Sequence, residues 1–462
     1  MHRKPSARVR QQLRVHQQAA HSDACAFFNL LTGAELLDEV ESLLPRHRER
    51  LFPPTETLSM FLAQALNADR SCQKVVNDTA VYRLAGGLPS CSTHTGAYCR
   101  ARQRLPTPMV SALARSTGRR VVDHAARAWH WRNRPVRLVD GTTVTMPDTP
   151  ANQAAYPQSR NQKPGLGFPL CRIVGIVCLG SGALLNAAIS PYQGKGNDEQ
   201  SLLRTILDTL AGGDVLVGDA FYATYFLLCA LRVRNIDAVF EQHGSRNRIT
   251  DFRCGQRLGQ RDHLMLFKKP VIKPGWMSDD AYEQAPATLT IRELRTGGKT
   301  LVTTLLCPKQ TSKADLRLLY RDRWHVELDL RNIKTTLGME RLSCQRPHMA
   351  VKEIWVYLLA YNLIRMMMAQ AARHVHRLPR QFSFKHTVQI CIALPHHRNL
   401  LLDDDKRYAL FDLIAQQRVG DRPDRIEPRA LKRRPKAYPL LTQPRIIAQQ
   451  RIRKYGHPAK LK

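Results

Sequence analysis

Three acidic residues stand out because the segments around them are apolar or cationic. Asp140 lies inside the strand-like run RLVDGTT, Asp219 ends the apolar run VLVGD, and Glu327 lies on a helical stretch. A carboxylate is costly to bury without a partner, and the carboxyl ends of strands are where α/β sheets place their sites. Carboxylate oxygens suit Mg²⁺ or Mn²⁺ rather than zinc, and two such ions can drive displacement at a phosphodiester. The trio therefore predicts a two-metal site, with a turn or capping role as the alternative for each Asp.

The helical stretch around Glu327 places cations beside that carboxylate. At about 100° per residue, one face about 60° wide collects several polar side chains. They are Tyr320, Arg323, Glu327 and Lys334, with Arg331 at the edge of the face. Arg can bind phosphate through two parallel bonds and Lys as a point charge, so the face predicts phosphate binding beside a metal ligand. The alternative is a solvated helix with a single ion pair between Arg323 and Glu327.

Three neighbouring acids compete for the metal roles, namely Asp148, Asp214 and Asp322. The angular count puts Asp322 on the side of the helix away from Glu327, which argues against it. Asp214 precedes the apolar run VLVG instead of ending it, so Asp219 is the better candidate.

The net charge indicates the partner. Lys and Arg total 71 against 38 Asp and Glu in 462 residues, a formal charge of +33. Such an excess repels itself unless a polyanion binds, and nucleic acid is the expected polyanion. A basic secreted or ribosome-associated protein is the alternative.

Other features bear on the cellular compartment. No apolar run approaches 18 residues, so no membrane span is expected. The basic N-terminus lacks the apolar segment of a secretory signal, although its composition fits a matrix-type transit peptide. The eleven cysteines form no C-x-x-C pair, which favours reduced thiols. We therefore expect a cytoplasmic protein without membrane contact.

The hydrophobic pattern predicts an α/β protein with several parts. Apolar positions at helical spacing predict a helical region over 1–125, including a short basic helix within 92–105 that Ser92 or Thr93 caps. Arg100 and Arg104 on this helix are candidate DNA contacts, with a solvated surface helix as the equal alternative. From about 135 the order β-β-β-α-β-α-β predicts a mixed sheet flanked by helices, the first helix starting at Asn197.

The remainder divides by composition. Short alternating runs in 243–308 predict a β-rich insertion, and two helices follow, at roughly 312–337 and 350–370. The basic tail, with the run RALKRRPKAYP at 429–439, is expected to be loosely ordered until it meets phosphate. The predicted parts are a helical DNA-binding domain (1–125), the first part of a core (135–242), the insertion (243–308), the rest of the core (309–372) and a basic C-terminal region (373–462).

At these residues the chain resembles the DDE transposases of the bacterial insertion-sequence-4 family. The spacing Y-x2-R-x3-E-x6-K from Tyr320 to Lys334 is the signature of that family. Further similar segments are VDGTT at 139–143, GDAFYATY at 218–225, STHTGAYCRARQRL at 92–105 and the ending RRPKAYPLLTQPR. The resemblance implies a ribonuclease-H-like core with a β-rich insertion before the catalytic Glu.

The resemblance also implies roles. The catalytic residues Asp140, Asp219 and Glu327 would hold two Mg²⁺, with Mn²⁺ as a substitute. Side chains of the signature face would contact the transposon end near the cut: Tyr320, Arg323 and Lys334. The N-terminal region and basic tail would recognise double-stranded DNA ends and pair two subunits, so the implied assembly is a homodimer on transposon ends and target, near the bacterial nucleoid. Trp276, the single Trp of the insertion, is the candidate for holding a flipped base.

The implied chemistry is a series of in-line displacements. Water attacks at the transposon end and frees a 3′-hydroxyl, which attacks either the opposite strand, forming a hairpin, or the target. An active cut-and-paste transposase is the first hypothesis. A catalytically silent DNA-binding descendant and a nuclease that cuts without joining strands are the alternatives.

Overall fold

A mixed nine-stranded sheet lies at the centre of the computed structural model, which describes residues 42–44, 51–244, 250–393, 404–419 and 443–456. The strands are β1 (Val136–Thr145), β2 (Leu170–Cys178), β3 (Leu184–Pro191), β4 (Val215–Gly218), β5 (Asp237–Glu241), β6 (Gln256–Gly259), β7 (Asp262–Lys268), β8 (Thr288–Thr296) and β9 (Lys299–Thr303). Their spatial order is β3-β2-β1-β4-β5-β9-β8-β7-β6.

The described residues also form fourteen α-helices, several of which pack on the two faces of the sheet. They are α1 (Pro54–Leu66), α2 (Cys72–Ala85), α3 (Gly96–Arg104), α4 (Thr107–Asp123), α5 (Pro150–Ala155), α6 (Glu199–Thr205), α7 (Tyr225–Val233), α8 (Asp279–Gln284), α9 (Lys313–Arg321), α10 (Trp324–Arg331), α11 (Pro347–His374), α12 (Phe384–Ala393), α13 (Asp404–Gln416) and α14 (Arg445–Tyr455). None of the helices in the described ranges is both long and apolar enough to cross a lipid bilayer.

The first five strands confirm the ribonuclease-H-like core predicted from the sequence. β1 pairs with β4 and β4 with β5 in parallel, whereas β2 runs antiparallel between β1 and β3. The apolar run of β4 is buried on both faces, as expected for a central parallel strand. Helix α6 begins at the N-cap Asp198, whose side chain accepts the backbone N–H of Ser201, so the predicted start at Asn197 is one residue early.

The strands of segment 243–308 extend the same sheet instead of forming a separate one. β9 pairs with β5, and β8, β7 and β6 follow in antiparallel order. A buried ion pair holds this extension together, because Arg292 donates to both carboxylate oxygens of Asp262 at 2.8 and 2.6 Å. The same guanidinium donates to the carbonyl of Thr311, just before α9.

The helix predicted over 312–337 is interrupted. A capping box at Ser312 and Asp315 starts α9, but Asp322 and Arg323 form a tight turn with i→i−3 hydrogen bonds before α10. A π-helical turn, Asn332–Thr336, then follows α10. A tight turn and a wide turn shift the helical phase in opposite directions, so their effects partly cancel and the signature residues stay on one side.

The parts outside the sheet share one apolar core with it. Helix α11 packs on α4 and α1, and its buried side chains belong to the same cluster as those of β1 and β4. The C-terminal region contains α12, α13 and α14. Because α12 and α13 pack on α11, the expectation of a loosely ordered tail is wrong for these two helices. The run at 429–439 lies outside the described residues.

A buried acid fixes α10 to α11. Asp329 is fully buried and accepts from Arg365 of α11 at 2.5 Å and from Arg380 at 2.8 Å. Arg380 also donates to the carbonyl of Cys178 at the end of β2. This one carboxylate therefore joins the helix of Glu327 to α11 and to the sheet.

Removing this carboxylate should be strongly destabilising. Asp329→Asn leaves the buried guanidinium of Arg365 without its counter-charge, and we expect a loss of about 3–5 kcal/mol in the free energy of unfolding. Urea denaturation followed by tryptophan fluorescence measures it. The matched control is Asp208→Asn, in an exposed pair with Arg234, which should change stability by less than about 0.5 kcal/mol. Equal effects of the two variants would contradict the assignment.

Candidate active site

The register of β1 and β4 places two acids side by side. Leu138 is paired with Val217, so Asp140 and Asp219, each two residues further on, lie level on neighbouring strands. Parallel strands are about 4.8 Å apart. Asp219 directly follows β4 and accepts the backbone N–H of Phe221 at 2.9 Å, which fixes the turn that ends the strand. The two carboxylates therefore meet at the carboxyl edge of the sheet.

Glu327 reaches this edge from α10 through an arginine. The Arg323 guanidinium donates to Glu327 Oε1 at 2.8 Å, and its other terminal nitrogen lies 4.0 Å from Asp140 Oδ2. The Arg323 side chain is only 15% exposed. The ion pair between Arg323 and Glu327 that the sequence predicts is present, but it lies against a strand carboxylate instead of in solvent.

The other signature residues also contact strand ends. Lys334 donates to Thr142 Oγ1 at 3.2 Å, two residues after Asp140 on β1. The Tyr320 hydroxyl donates to Glu241 Oε2 at 3.0 Å, at the end of β5. Arg331 is exposed. The structure thus brings Tyr320, Arg323, Glu327 and Lys334 to the side of the sheet where β4 and β5 end, next to the middle of β1.

Crowding of acids shifts the ionisation of the site. Burial, reinforced by the charges of Asp219 and Glu199, raises the pKa of Asp140 to about 7 against the opposing effect of the nearby Arg323. Burial and the charge of Asp219 also raise the pKa of Glu199. Both raised pKa values indicate that the ionised carboxylates are unfavourable at this edge of the sheet, and that a bound cation would favour them.

Two acids at this edge were missed by the sequence analysis. Glu241 ends β5 as Asp219 ends β4, and the same strand-end argument would have found it. Glu199 lies in the first turn of α6, where the helix dipole alone would account for an acidic residue. The sequence does not show its proximity to the site, because that proximity comes from the tertiary contact of its carboxyl group with Gly141 of β1.

The three competing acids lie elsewhere. Asp214 forms a buried pair with Arg137 at 3.1 Å, at the opposite edge of β4. Asp148 pairs with Arg445 at 2.5 Å. Asp322 lies in the turn between α9 and α10, beside Arg321. None of them takes part in the contacts that join Asp140 to Glu327.

The basic helix α3 presents only part of its charge to solvent. Arg100 and Arg104 are exposed, as DNA contacts would require. Tyr98 and Arg102 are buried, and both donate to Gln64 Oε1. The helix is preceded by Thr95, so the predicted caps at residues 92 and 93 are wrong.

Trp276, in the insertion, lies against α6. Its ring is 49% exposed and is covered on one side by Arg204, whose guanidinium carbon is 3.8 Å from the ring centre. Phe226 contacts it edge-on at 6.2 Å. The Trp276 ring is thus half exposed, and it contacts Arg204 in the last turn of α6, the helix that begins at Glu199.

The three predicted metal ligands are of the chemical type that binds a hard divalent cation. Asp140, Asp219 and Glu327 offer carboxylate oxygens, the ligands that Mg²⁺ and Mn²⁺ prefer. Among the described residues, however, no three His, Cys, Asp or Glu side chains are arranged closely enough to hold a metal together. Glu327 is instead bound by Arg323, so this ion pair has to open before Glu327 can join the two aspartates.

The chain was compared with protein families, with individual proteins and with solved structures. A family described as "Transposase DDE domain" matches residues 131–363. The chain is 27% identical, over 415 residues covering 85% of it and 88% of the relative, to the transposase InsG for insertion sequence element IS4 of Escherichia coli (strain K12). Among solved structures it is similar to piggyBac transposase in a synaptic complex with hairpin DNA, with 10% identity and a TM-score of 0.44 over 96% of this chain and 92% of that one.

The raised pKa of Asp140 predicts a pH-dependent site. Below about pH 7 a cation must displace a proton from this carboxyl, so affinity for Mn²⁺ should rise as the pH increases to about 7 and then level off. Titrations with Mn²⁺ from about pH 5.5 to about pH 8.5 test this. Asp140→Asn should flatten the profile, and a wild-type profile that is already flat would contradict the prediction.

Proposed function

The chain belongs to the DDE transposases of the insertion-sequence-4 family, and from this membership we propose that it cuts DNA at transposon ends and joins those ends to target DNA. The observation that supports this best is the contact chain at one sheet edge: Asp140 beside Asp219, with Arg323 linking Asp140 to Glu327. It unites a candidate metal site with a phosphate-binding cation.

We assign the divalent ions to the carboxylates. Asp140, Asp219 and Glu327 would hold two Mg²⁺, or Mn²⁺ in their place, and bound ions would activate the attacking oxygen and stabilise the leaving one. The strands keep the two aspartates in register, and α10 carries Glu327 on a helix fastened through Asp329. The chain itself would position these oxygens. Because water and the 3′-hydroxyl attack the phosphorus directly, no covalent enzyme intermediate is needed.

Arg323 would exchange partners when DNA enters. Its guanidinium, now bonded to Glu327, can bind a phosphate through two parallel bonds. Exchanging the carboxylate for phosphate would free Glu327 to approach the two aspartates. Lys334 would add a point charge above β1. Entry of the substrate strand and completion of the metal site are then one event.

The rest of the DNA would lie on the cationic surface. Arg331 continues the signature face, and Arg100 and Arg104 of α3 are exposed for end recognition. Trp276 offers a half-exposed ring on which a flipped base could stack. Because two transposon ends need two active sites, the working assembly would be a homodimer on DNA.

Replacing the carboxylates should separate cutting from binding. Asp140→Asn, Asp219→Asn and Glu327→Gln are each expected to slow cleavage of a transposon-end duplex by about 10³-fold or more, while end binding is largely kept. Gel assays of nicking and of mobility shift measure the two effects. Asp322→Asn is the matched control, because this acid lies in the turn beside Arg321, and it should still cut.

The same assays decide between the alternatives. Joining of the freed 3′ end to a target duplex distinguishes a transposase from a nuclease of the same core. If the wild-type chain binds ends but never nicks them in Mg²⁺ or Mn²⁺, it is a silent descendant and the proposed activity is wrong. Nicking by Glu327→Gln at the wild-type rate would remove that residue from the site.

The phosphate contacts predict the salt dependence of DNA binding. Arg323→Ala and Lys334→Ala should each weaken binding and reduce the slope of log K against log salt by about one unit. Fluorescence anisotropy at several KCl concentrations gives the slope. Arg234→Ala is the control, because that residue precedes β5 at the opposite edge of the sheet and pairs with Asp208. Unchanged slopes for the two site variants would argue against phosphate contact.

A further inference from the structure

Glu199 approaches the candidate metal site from the other layer of helices. It lies in the first turn of α6, on the sheet face where Leu202 and Leu203 pack, whereas Glu327 comes from α10 on the opposite face. Asp219 lies within electrostatic range of both Glu199 and Asp140. The carboxyl edge of β1 and β4 is therefore flanked by acids from both faces.

Gly141 makes this approach sterically feasible. A Cβ atom at position 141 would lie 2.3 Å from the carboxyl carbon of Glu199 and 2.4 Å from Oε1, far inside contact distance. The Gly141 backbone is outside the left-handed region, so a turn conformation does not require glycine here. What the position provides is room, which the Glu199 carboxyl group fills at the residue next to Asp140.

Further contacts hold Glu199 in this place. The hydroxyl of Tyr222, a fully buried residue in the turn after Asp219, donates to Glu199 Oε2 at 3.3 Å. The N-terminus of α6 is already capped by Asp198. Glu199 is thus not needed as a cap, and its side chain is directed onto β1 instead of into solvent.

We propose that Glu199 is a fourth carboxylate of the divalent-ion site, contributing to cation binding together with Asp140 and Asp219. This inference rests on the proposed function, because it presumes that the site binds Mg²⁺ or Mn²⁺. Its physical reason is that Asp140, Asp219 and Glu199 crowd one strand edge, where a divalent cation would offset their repulsion more fully than the nearby Arg172 and Arg323 do. Because no three acids of the described residues are close enough to hold a metal in this structure, cation binding would have to draw the carboxylates of Asp140, Asp219 and Glu199 together.

The test is Mn²⁺ binding to the full-length chain without DNA, followed by the electron paramagnetic resonance signal of free Mn²⁺. Glu199→Gln keeps the shape of the side chain and should raise the Kd for Mn²⁺ by about tenfold or more. Asp208→Asn, an exposed acid at the end of the same connection between β3 and β4, should leave the Kd unchanged. A Glu199→Gln protein that binds Mn²⁺ within about twofold of the wild type overturns the inference.

A second variant covers the case in which Glu199→Gln does not fold. Gly141→Ala leaves Glu199 charged but displaces its flexible end, so it should weaken Mn²⁺ binding in the same direction. If Glu199→Gln does not fold, a Gly141→Ala protein that binds Mn²⁺ like the wild type overturns the inference. If Glu199→Gln folds, the Gly141→Ala change should cause no further loss in that background, because both act through one carboxylate. Additive losses would indicate damage to β1 instead and would overturn the inference.

The outcome for Asp140→Asn separates this inference from the proposed function. If Asp140→Asn abolishes Mn²⁺ binding and cleavage while Glu199→Gln changes neither, only the inference on Glu199 fails. If Asp140→Asn also binds Mn²⁺ and cuts like the wild type, the proposed function itself fails, and the role of Glu199 fails with it.

Discussion

The parallel pairing of β1 with β4 is the constraint on which the rest of the site depends. It sets Asp140 level with Asp219, and two carboxylates on adjacent strands repel each other at the edge of an apolar sheet. The apolar packing of β1 and β4 on both faces holds the strands in this register despite the repulsion. The fold therefore keeps two carboxylates close together although they repel each other, and a bound cation or proton would reduce this repulsion.

The arginines around α10 have two different roles. Arg365 and Arg380 are held around the buried Asp329 and act as fixed supports for α10. Arg323 is one turn before Glu327, carries a single hydrogen bond to it and lies near Asp140 at a longer distance. The supports hold the helix, and the nearer guanidinium is the one that we propose exchanges a carboxylate for a phosphate.

The parts of this arrangement that follow from local pattern could be predicted, and the parts that follow from packing could not. Alternation and apolar runs predicted β1 and β4, and with them the positions of Asp140 and Asp219. Periodicity alone predicted one long helix, because the turn at Asp322 and the π-helical turn beyond α10 arise from hydrogen bonding that hydrophobic spacing does not encode. Glu199 was missed because its contact with Gly141 joins elements far apart in sequence, and only the tertiary structure reveals it.

The long helix α11 sets a fixed distance across the molecule. Near its start the buried Lys352 donates to the carbonyl groups of Arg102 and Gln103 at the end of α3, and further along Arg365 holds α10. At 1.5 Å per residue these two attachment points are about 20 Å apart. Under the proposed function this helix would set a distance on DNA, because the stretch of duplex between a contact made by α3 and the bond to be cut would be fixed by protein geometry. Lengthening or shortening α11 would change the helical phase at which the two attachment points meet the DNA.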